Sequence, residues 1–187
     1  IRDSTFYRIA NPESAPGRPG RNELREELVE LGALVPVDVE GIRGQRLVLA
    51  EELALLQAPP APAPSVAFIA PFDSLLWDKA LIAKLFALDY VWEGFFPPAK
   101  RRWGWYVLPL GFGDRFVGRI EPRIDGEGAR VEVLNVWWED GFAPRRADGF
   151  VDAMRDALRA YLRFAGAGSL EWAAHLRPEK GLFLACP

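Results

Sequence analysis

Between Ala58 and Ser65 the chain reads A-P-P-A-P-A-P-S, four prolines in eight residues. Each proline lacks the amide hydrogen that a helix interior or central strand requires and holds φ near its own fixed value, so neither element can run through this stretch. A semi-rigid extended spacer over residues 58–65 is expected, with part of one domain in residues 1–57 and a second domain in residues 66–187. Half of the 187 residues are apolar, enough for the larger part to bury a core.

Residues 10–21 carry three prolines and two glycines and read as a loop. Asn22 is placed to cap a helix running to Leu31, with Leu24, Leu28 and Leu31 on one face and Glu23, Glu26 and Glu27 in the early turns, where the helix dipole favours them. Gly32 supplies the stop. Ala33–Val39 and Arg46–Ala50 read as two strands joined by the turn residues 40–45, and residues 51–57 as a further one or two helical turns. A helix leading into a hairpin is the back half of a winged helix. Arg43 and Arg46 could place that wing on DNA, but the glutamates on the preceding helix favour a solvated turn.

The stretch from Ala70 to Trp138 holds six of the seven tryptophans. A short strand at 66–70 is expected to lead into a turn at Phe72-Asp73, then a helix over 79–88 capped by Asp78. Residues 89–96 have strand character and stop at Pro97-Pro98. Three antiparallel strands are expected at 105–111, 115–122 and 129–138. In the last, Val131, Val133, Asn135 and Trp137 alternate with Glu132, Leu134, Val136 and Trp138, so both faces need a cover over its second half. An amphipathic helix over 146–164 supplies one cover, with Phe150, Met154, Ala157, Leu158 and Tyr161 inward and Arg145, Arg146, Arg155, Arg159 and Arg163 outward; Gly166 and Gly168 end it. A short amphipathic stretch at 170–176 and a tail strand at 182–185 complete an α+β chain.

Net charge is −3, unevenly spread: nine cations face fourteen carboxylates over residues 1–96, but twelve face ten over 97–163. The positive excess therefore coincides with the tryptophans. Arginine outnumbers lysine 19 to 4, which reflects either a GC-rich genome or the planar guanidinium fork that suits phosphate. Lys100, Arg101 and Arg102 beside Trp103, with Arg119, Arg123 and Arg130 around the turn at 124–128, would let a hairpin tip meet a polyanion; a solvated charged loop is the equal alternative on spacing. The lone histidine, His175, has no second histidine or cysteine beside it, so a metal site of the usual His and Cys kinds is not expected and a half-buried structural role is. Asp73 and Asp78 could share a site as paired carboxylates, although helix capping accounts for both. G-F-G-D-R-F-V-G lacks the Gly-Lys-Ser/Thr ending of a phosphate loop. Cys186, a lone tail cysteine, excludes an internal disulfide framework, and the absence of an apolar run of membrane length or an N-terminal signal points to a cytoplasmic protein without a membrane partner. The opening I-R-D-S-T-F-Y-R-I reads as the interior of a longer protein, with this chain as its C-terminal portion.

Four blocks in order, A-P-F-D-S-L-L-W-D at 70–78, F-F-P-P-A-K-R-R-W-G-W-Y-V-L-P-L at 95–110, G-D-R-F-V-G-R-I-E-P-R-I-D at 113–125 and L-N-V-W-W-E at 134–139, resemble the C-terminal signature of the AlkZ/YcaQ family of bacterial winged-helix DNA glycosylases. The resemblance implies tandem winged helices, here the end of one followed by a winged-helix-like domain with a three-stranded meander and covering helices. It implies excision of bulky alkylated purines from double-stranded DNA, interstrand crosslinks included, by a monomer near the nucleoid without metal or other cofactor. It also implies a β-hairpin in the DNA cleft, matched to Arg115–Val136 with its tip at Asp125, Gly126, Glu127 and Gly128, and Asp73, Trp77 and Trp103 as cleft residues. The family's catalytic Gln-x-Gln or Gln-x-Asp motif has no counterpart: Gln45 and Gln57 are the only glutamines, so no catalytic residue is expected in this chain. A winged-helix DNA-binding module or transcription regulator without enzymatic activity is the alternative, and a packing scaffold with DNA held elsewhere is a third reading.

Overall fold

The computed structural model describes residues 20–125 and 130–183, and shows a mixed α+β chain. It divides into two compact units, one formed by residues 20–61 and 77–87, the other by residues 62–76 and 88–183. One point of division falls between Ala61 and Pro62, and the segment around the 79–86 helix belongs with the first unit.

In the first unit α1 (Arg21–Glu30) is followed by the antiparallel hairpin β1 (Leu34–Val37) and β2 (Arg46–Leu49) and by a short helix α2 (Leu53–Gln57). Gly20, not Asn22, caps α1, and its amide donates to the Glu23 carboxylate at 2.8 Å. Leu24 and Leu31 of the expected apolar stripe stay exposed. Helix α3 (Lys79–Phe86) is capped by Asp78, whose Oδ1 accepts the Leu81 amide at 3.0 Å. Its other oxygen pairs with Arg46 at 3.2 Å, so Arg46 serves the interior of this unit rather than a wing surface.

The second unit is built on a five-stranded sheet, in spatial order β3 (Val66–Phe68), β4 (Leu108–Phe112), β5 (Arg115–Ile124), β6 (Arg130–Trp138) and β7 (Ser169–Trp172). The first four run antiparallel, so the expected meander is present with an extra strand on its outer edge. The last, β7, pairs parallel with β6. A parallel neighbour requires a crossover, and helix α4 (Phe150–Ala165) supplies it, ended by Gly166 in the left-handed conformation. Residues expected as an amphipathic turn thus include a strand, and Leu182 and Phe183 of the expected tail strand lie in helix α5 (Arg177–Phe183); residues 184–187, the rest of that expected strand and Cys186 among them, lie outside the described residues.

Two departures shape the site. The expected strand at 89–96 does not form, because residues 90–93 attach to the chain at 102–107 through side chains instead of a main-chain ladder. On β6, strict alternation also fails. Glu121 lies opposite Asn135, but Pro122 lies opposite Val133, leaving Leu134 as an extra residue. A one-residue bulge exchanges the faces. Val133, Val136 and Trp138 therefore share the face covered by α4, whereas Asn135 and Trp137 turn to the other.

Phe150 is the centre of the covered face. It is fully buried and meets Phe112, Phe142 and Trp138 edge-on at centroid distances of 5.1, 4.8 and 5.7 Å. Met154 and Leu158 extend the contact along α4 as the periodicity predicts. Phe150→Ala is expected to cost about 3–5 kcal/mol of unfolding free energy, read as a lowered urea midpoint with an unchanged denaturant slope.

Candidate nucleic-acid interface

On the opposite face of the sheet, Arg119 and Glu121 stand two residues apart on β5, directly across from Trp137 and Asn135 on β6. This is an unusual place for charge: the Arg119 side chain retains 5% exposure and Glu121 is also buried. Both are accounted for. Arg119 pairs with Glu139 at 3.2 Å, donates to the Asp89 carbonyl at 2.9 Å and sits 4.4 Å from the Trp103 ring centroid. Glu121 accepts the Trp105 amide at 2.7 Å and the Asn135 amide nitrogen at 3.2 Å. His175 Nε2 lies 3.0 Å from Asn135 Oδ1, so it donates there and the histidine, though exposed, is tied to the network.

A second buried carboxylate completes the arrangement. Glu93 accepts the main-chain amides of Arg102, Trp103 and Gly104 at 3.0, 2.8 and 3.4 Å. Burial alone would raise its pKa, but the amides of Trp103, Arg102 and Gly104, with the charge of Arg102, outweigh it and hold the carboxyl below its ordinary range. Tyr90 donates to the Val107 carbonyl at 2.9 Å and Trp92 Nε1 to the Trp105 carbonyl at 3.1 Å. The run from Arg102 to Val107 is therefore held by side chains from 90–93 on one side and by Glu121 on the other. Gly104 is needed there: a Cβ at this position would collide with the Glu121 carboxylate. Trp103 is fixed edge-on to Trp137 at 5.3 Å and carries Arg102 as well, 4.5 Å from its centroid.

This frame sorts the six cations expected to contact phosphate. Lys100 and Arg102 are exposed and Arg101 half-buried, and among the described residues none of the three forms an ion pair. Arg101 Nε donates to the Phe96 carbonyl at 2.9 Å, which leaves most of its guanidinium donors unused. Arg123 and Arg130 are exposed but paired, Arg123 with Glu132 and Arg130 with Asp125 at 3.6 Å and Glu171 at 3.3 Å. Exposed pairs of this kind are worth about 0–1 kcal/mol, so a phosphate can compete for them. Arg119 is different. Its guanidinium is consumed by Glu139, Asp89 and Trp103 in the interior, which corrects the expectation that it contacts phosphate.

Of the hairpin tip, Asp125 receives the Arg130 amide at 3.4 Å, while Gly126, Glu127 and Gly128 lie outside the described residues. Asp73 caps its own turn, accepting the Leu75 amide at 2.9 Å, and Trp77 is half-buried and belongs to the first unit. Glu93, Glu121 and Asn135 were not singled out by the sequence. The one available signal was Arg119 and Glu121 at i, i+2 in an otherwise apolar strand, which puts both charges on one face. Among the described residues no three His, Cys, Asp or Glu group to hold a metal ion, and no helix is long and apolar enough to cross a membrane.

A lowered native pKa for Glu93 means stability that is present above about pH 4.3, the unfolded value, and is lost as pH falls through it toward the native value. Glu93→Gln keeps one acceptor oxygen and leaves buried amides short of partners. It is expected to lose about 2 kcal/mol at neutral pH and to show a shallower decline below about pH 4.3 than the wild type, measured by urea denaturation across pH.

The sequence pattern described as DNA glycosylase AlkZ-like matches residues 17–164. Among solved structures, the Streptomyces sahachiroi DNA glycosylase AlkZ aligns at 18% identity with a TM-score of 0.43, covering 83% of this chain and 37% of that chain. A transcriptional regulator from Bacillus halodurans C-125 aligns at 12% identity with a TM-score of 0.33, covering 65% of this chain and 93% of that one. This chain thus spans 37% of the length of the Streptomyces enzyme. With the family pattern running through the loop, the hairpin and most of α4, the chain belongs to the AlkZ-like DNA glycosylase family.

Proposed function

We propose that this chain is a DNA-holding portion of a DNA repair glycosylase, in which the 100–102 loop and the β5–β6 hairpin contact the phosphate backbone. The carrying observation is the unequal pairing of its cations. Whereas the interior Arg46 and Arg119 are ion-paired with carboxylates, Lys100, Arg101 and Arg102 form no ion pair among the described residues, on a loop fastened by Glu93 and Glu121. Three consecutive cations with only the buried Glu93 as a nearby counter-charge, beside Arg102, repel one another, a cost that a polyanion lowers. Fastening the loop beforehand also reduces the ordering entropy lost on binding. Arg123 and Arg130 add contacts when phosphate displaces their exposed partners. Family membership supports double-stranded DNA as the partner, with bulky alkylated purines and interstrand crosslinks as the lesions, and a cytoplasmic, nucleoid-associated monomer.

Cleavage of the N-glycosidic bond is assigned to groups outside residues 1–187. Gln45 lies in the β1–β2 turn and Gln57 at the end of α2, both exposed, and neither has a second glutamine or an aspartate two residues away. The helix and hairpin of the first unit are read as the helix and wing of a winged helix. This reading calls for no metal or cofactor.

Replacing Lys100, Arg101 and Arg102 together by alanine is expected to weaken binding to duplex DNA and to make the plot of log affinity against log salt shallower by about three. Charge reversal at Arg123 and Arg130 is expected to weaken binding and reduce the slope further. A triple variant with the wild-type slope would remove the loop from the interface.

A further inference from the structure

Beside the phosphate-facing loop lies a group of aromatic rings that charge neutralisation leaves unused. Phe72 and Phe95 leave 64% and 82% of their surfaces in water, yet both meet the same partner: Trp92 contacts Phe72 at 4.8 Å and Phe95 at 4.6 Å between centroids, edge-on in each case. The cluster is held from behind. Trp92 Nε1 is anchored on the Trp105 carbonyl, Phe72 sits on the turn closed by the Asp73 amide on the Ala70 carbonyl at 2.9 Å, and the Phe96 amide closes the following turn on the Glu93 carbonyl at 2.8 Å. A Cβ at Gly94 would lie 2.5 Å from the Trp92 indole, so glycine lets the ring lie across the main chain. These rings are therefore positioned with their outer faces in solvent, although core burial would be the ordinary fate of such residues.

Charge identifies what they meet. Arg101 donates to the carbonyl of Phe96, the residue after Phe95, and among the described residues Lys100, Arg101 and Arg102 form no ion pair. Aromatic faces beside unmatched cations are the combination that takes unpaired nucleotides, with bases stacked on rings and phosphates on the cations. We infer that Phe72, Trp92 and Phe95 form a stacking platform for unpaired bases, such as those of a strand opened or unstacked next to a lesion. The assignment rests on the DNA-binding reading above and adds a preference that phosphate contacts alone cannot produce, because a paired base keeps its faces inside the duplex.

The test compares binding of the 187-residue chain to a labelled oligothymidylate and to a labelled duplex of the same length, by fluorescence anisotropy at low salt. Phe72→Ala with Phe95→Ala is expected to weaken single-strand binding about tenfold while duplex binding changes less than about twofold. Phe95→Trp, with a larger ring face, is expected to tighten single-strand binding. Equal losses on both DNA forms, or no loss on either, overturn the platform and leave duplex binding standing. So does a change in sedimentation of the double-alanine variant, which would show that the rings cover a second copy of the chain. If the wild-type chain binds neither form, the DNA-binding reading falls, and the platform with it.

Discussion

Three main-chain amides converging on one buried carboxylate, Glu93, underlie the rest of the candidate interface. A carboxylate removed from water is unstable unless its lone pairs are met, and charge-assisted bonds from oriented amides meet them with little further cost. The same bonds satisfy N–H groups of a run that belongs to no helix or strand. One side chain therefore performs for residues 102–104 what a sheet ladder performs elsewhere. Glu121 extends the clamp by one residue, and the loop that results carries its cations at a defined place.

The sheet has two faces with different covers, and the bulge at Leu134 decides which residue meets which cover. On one side α4 closes with Phe150 over Val133 and Trp138, a face stabilised by apolar burial. On the other, Trp103 lies against Trp137 and Arg119, a face stabilised by ion pairing, hydrogen bonds and cation–π contact. The second kind of interior is more demanding, because each buried polar atom needs its partner, and it is correspondingly specific in geometry. It holds the 102–107 run, whose main chain is fixed by side chains and not by a sheet ladder.

Arginine has three roles here that its frequency in the chain conceals. Arg46 and Arg119 are internal ties, Arg123 and Arg130 are exposed members of ion pairs, and Arg101 and Arg102 form no ion pair among the described residues. Desolvation separates the first group from the second, and a direct contact with a carboxylate separates the second from the third. Local charge density around residues 97–163 located the region but could not divide it, since the dividing carboxylates, Glu132, Glu139 and Glu171, come from other segments.

The sequence by itself determined the hairpin of the first unit, the meander and the inward face of α4, because turn glycines and periodicity act over a few residues. It also carried the family signature. Only the tertiary structure decided that 89–96 would attach through side chains, that β7 would pair parallel to β6, and that Arg119 would turn inward. Each of these depends on a partner at least nine residues away, Glu93 on Arg102, Trp92 on Trp105, Arg119 on Glu139 and Asp89, and β7 on β6. Local patterning ranks the conformations open to a segment, and long-range partners select among them.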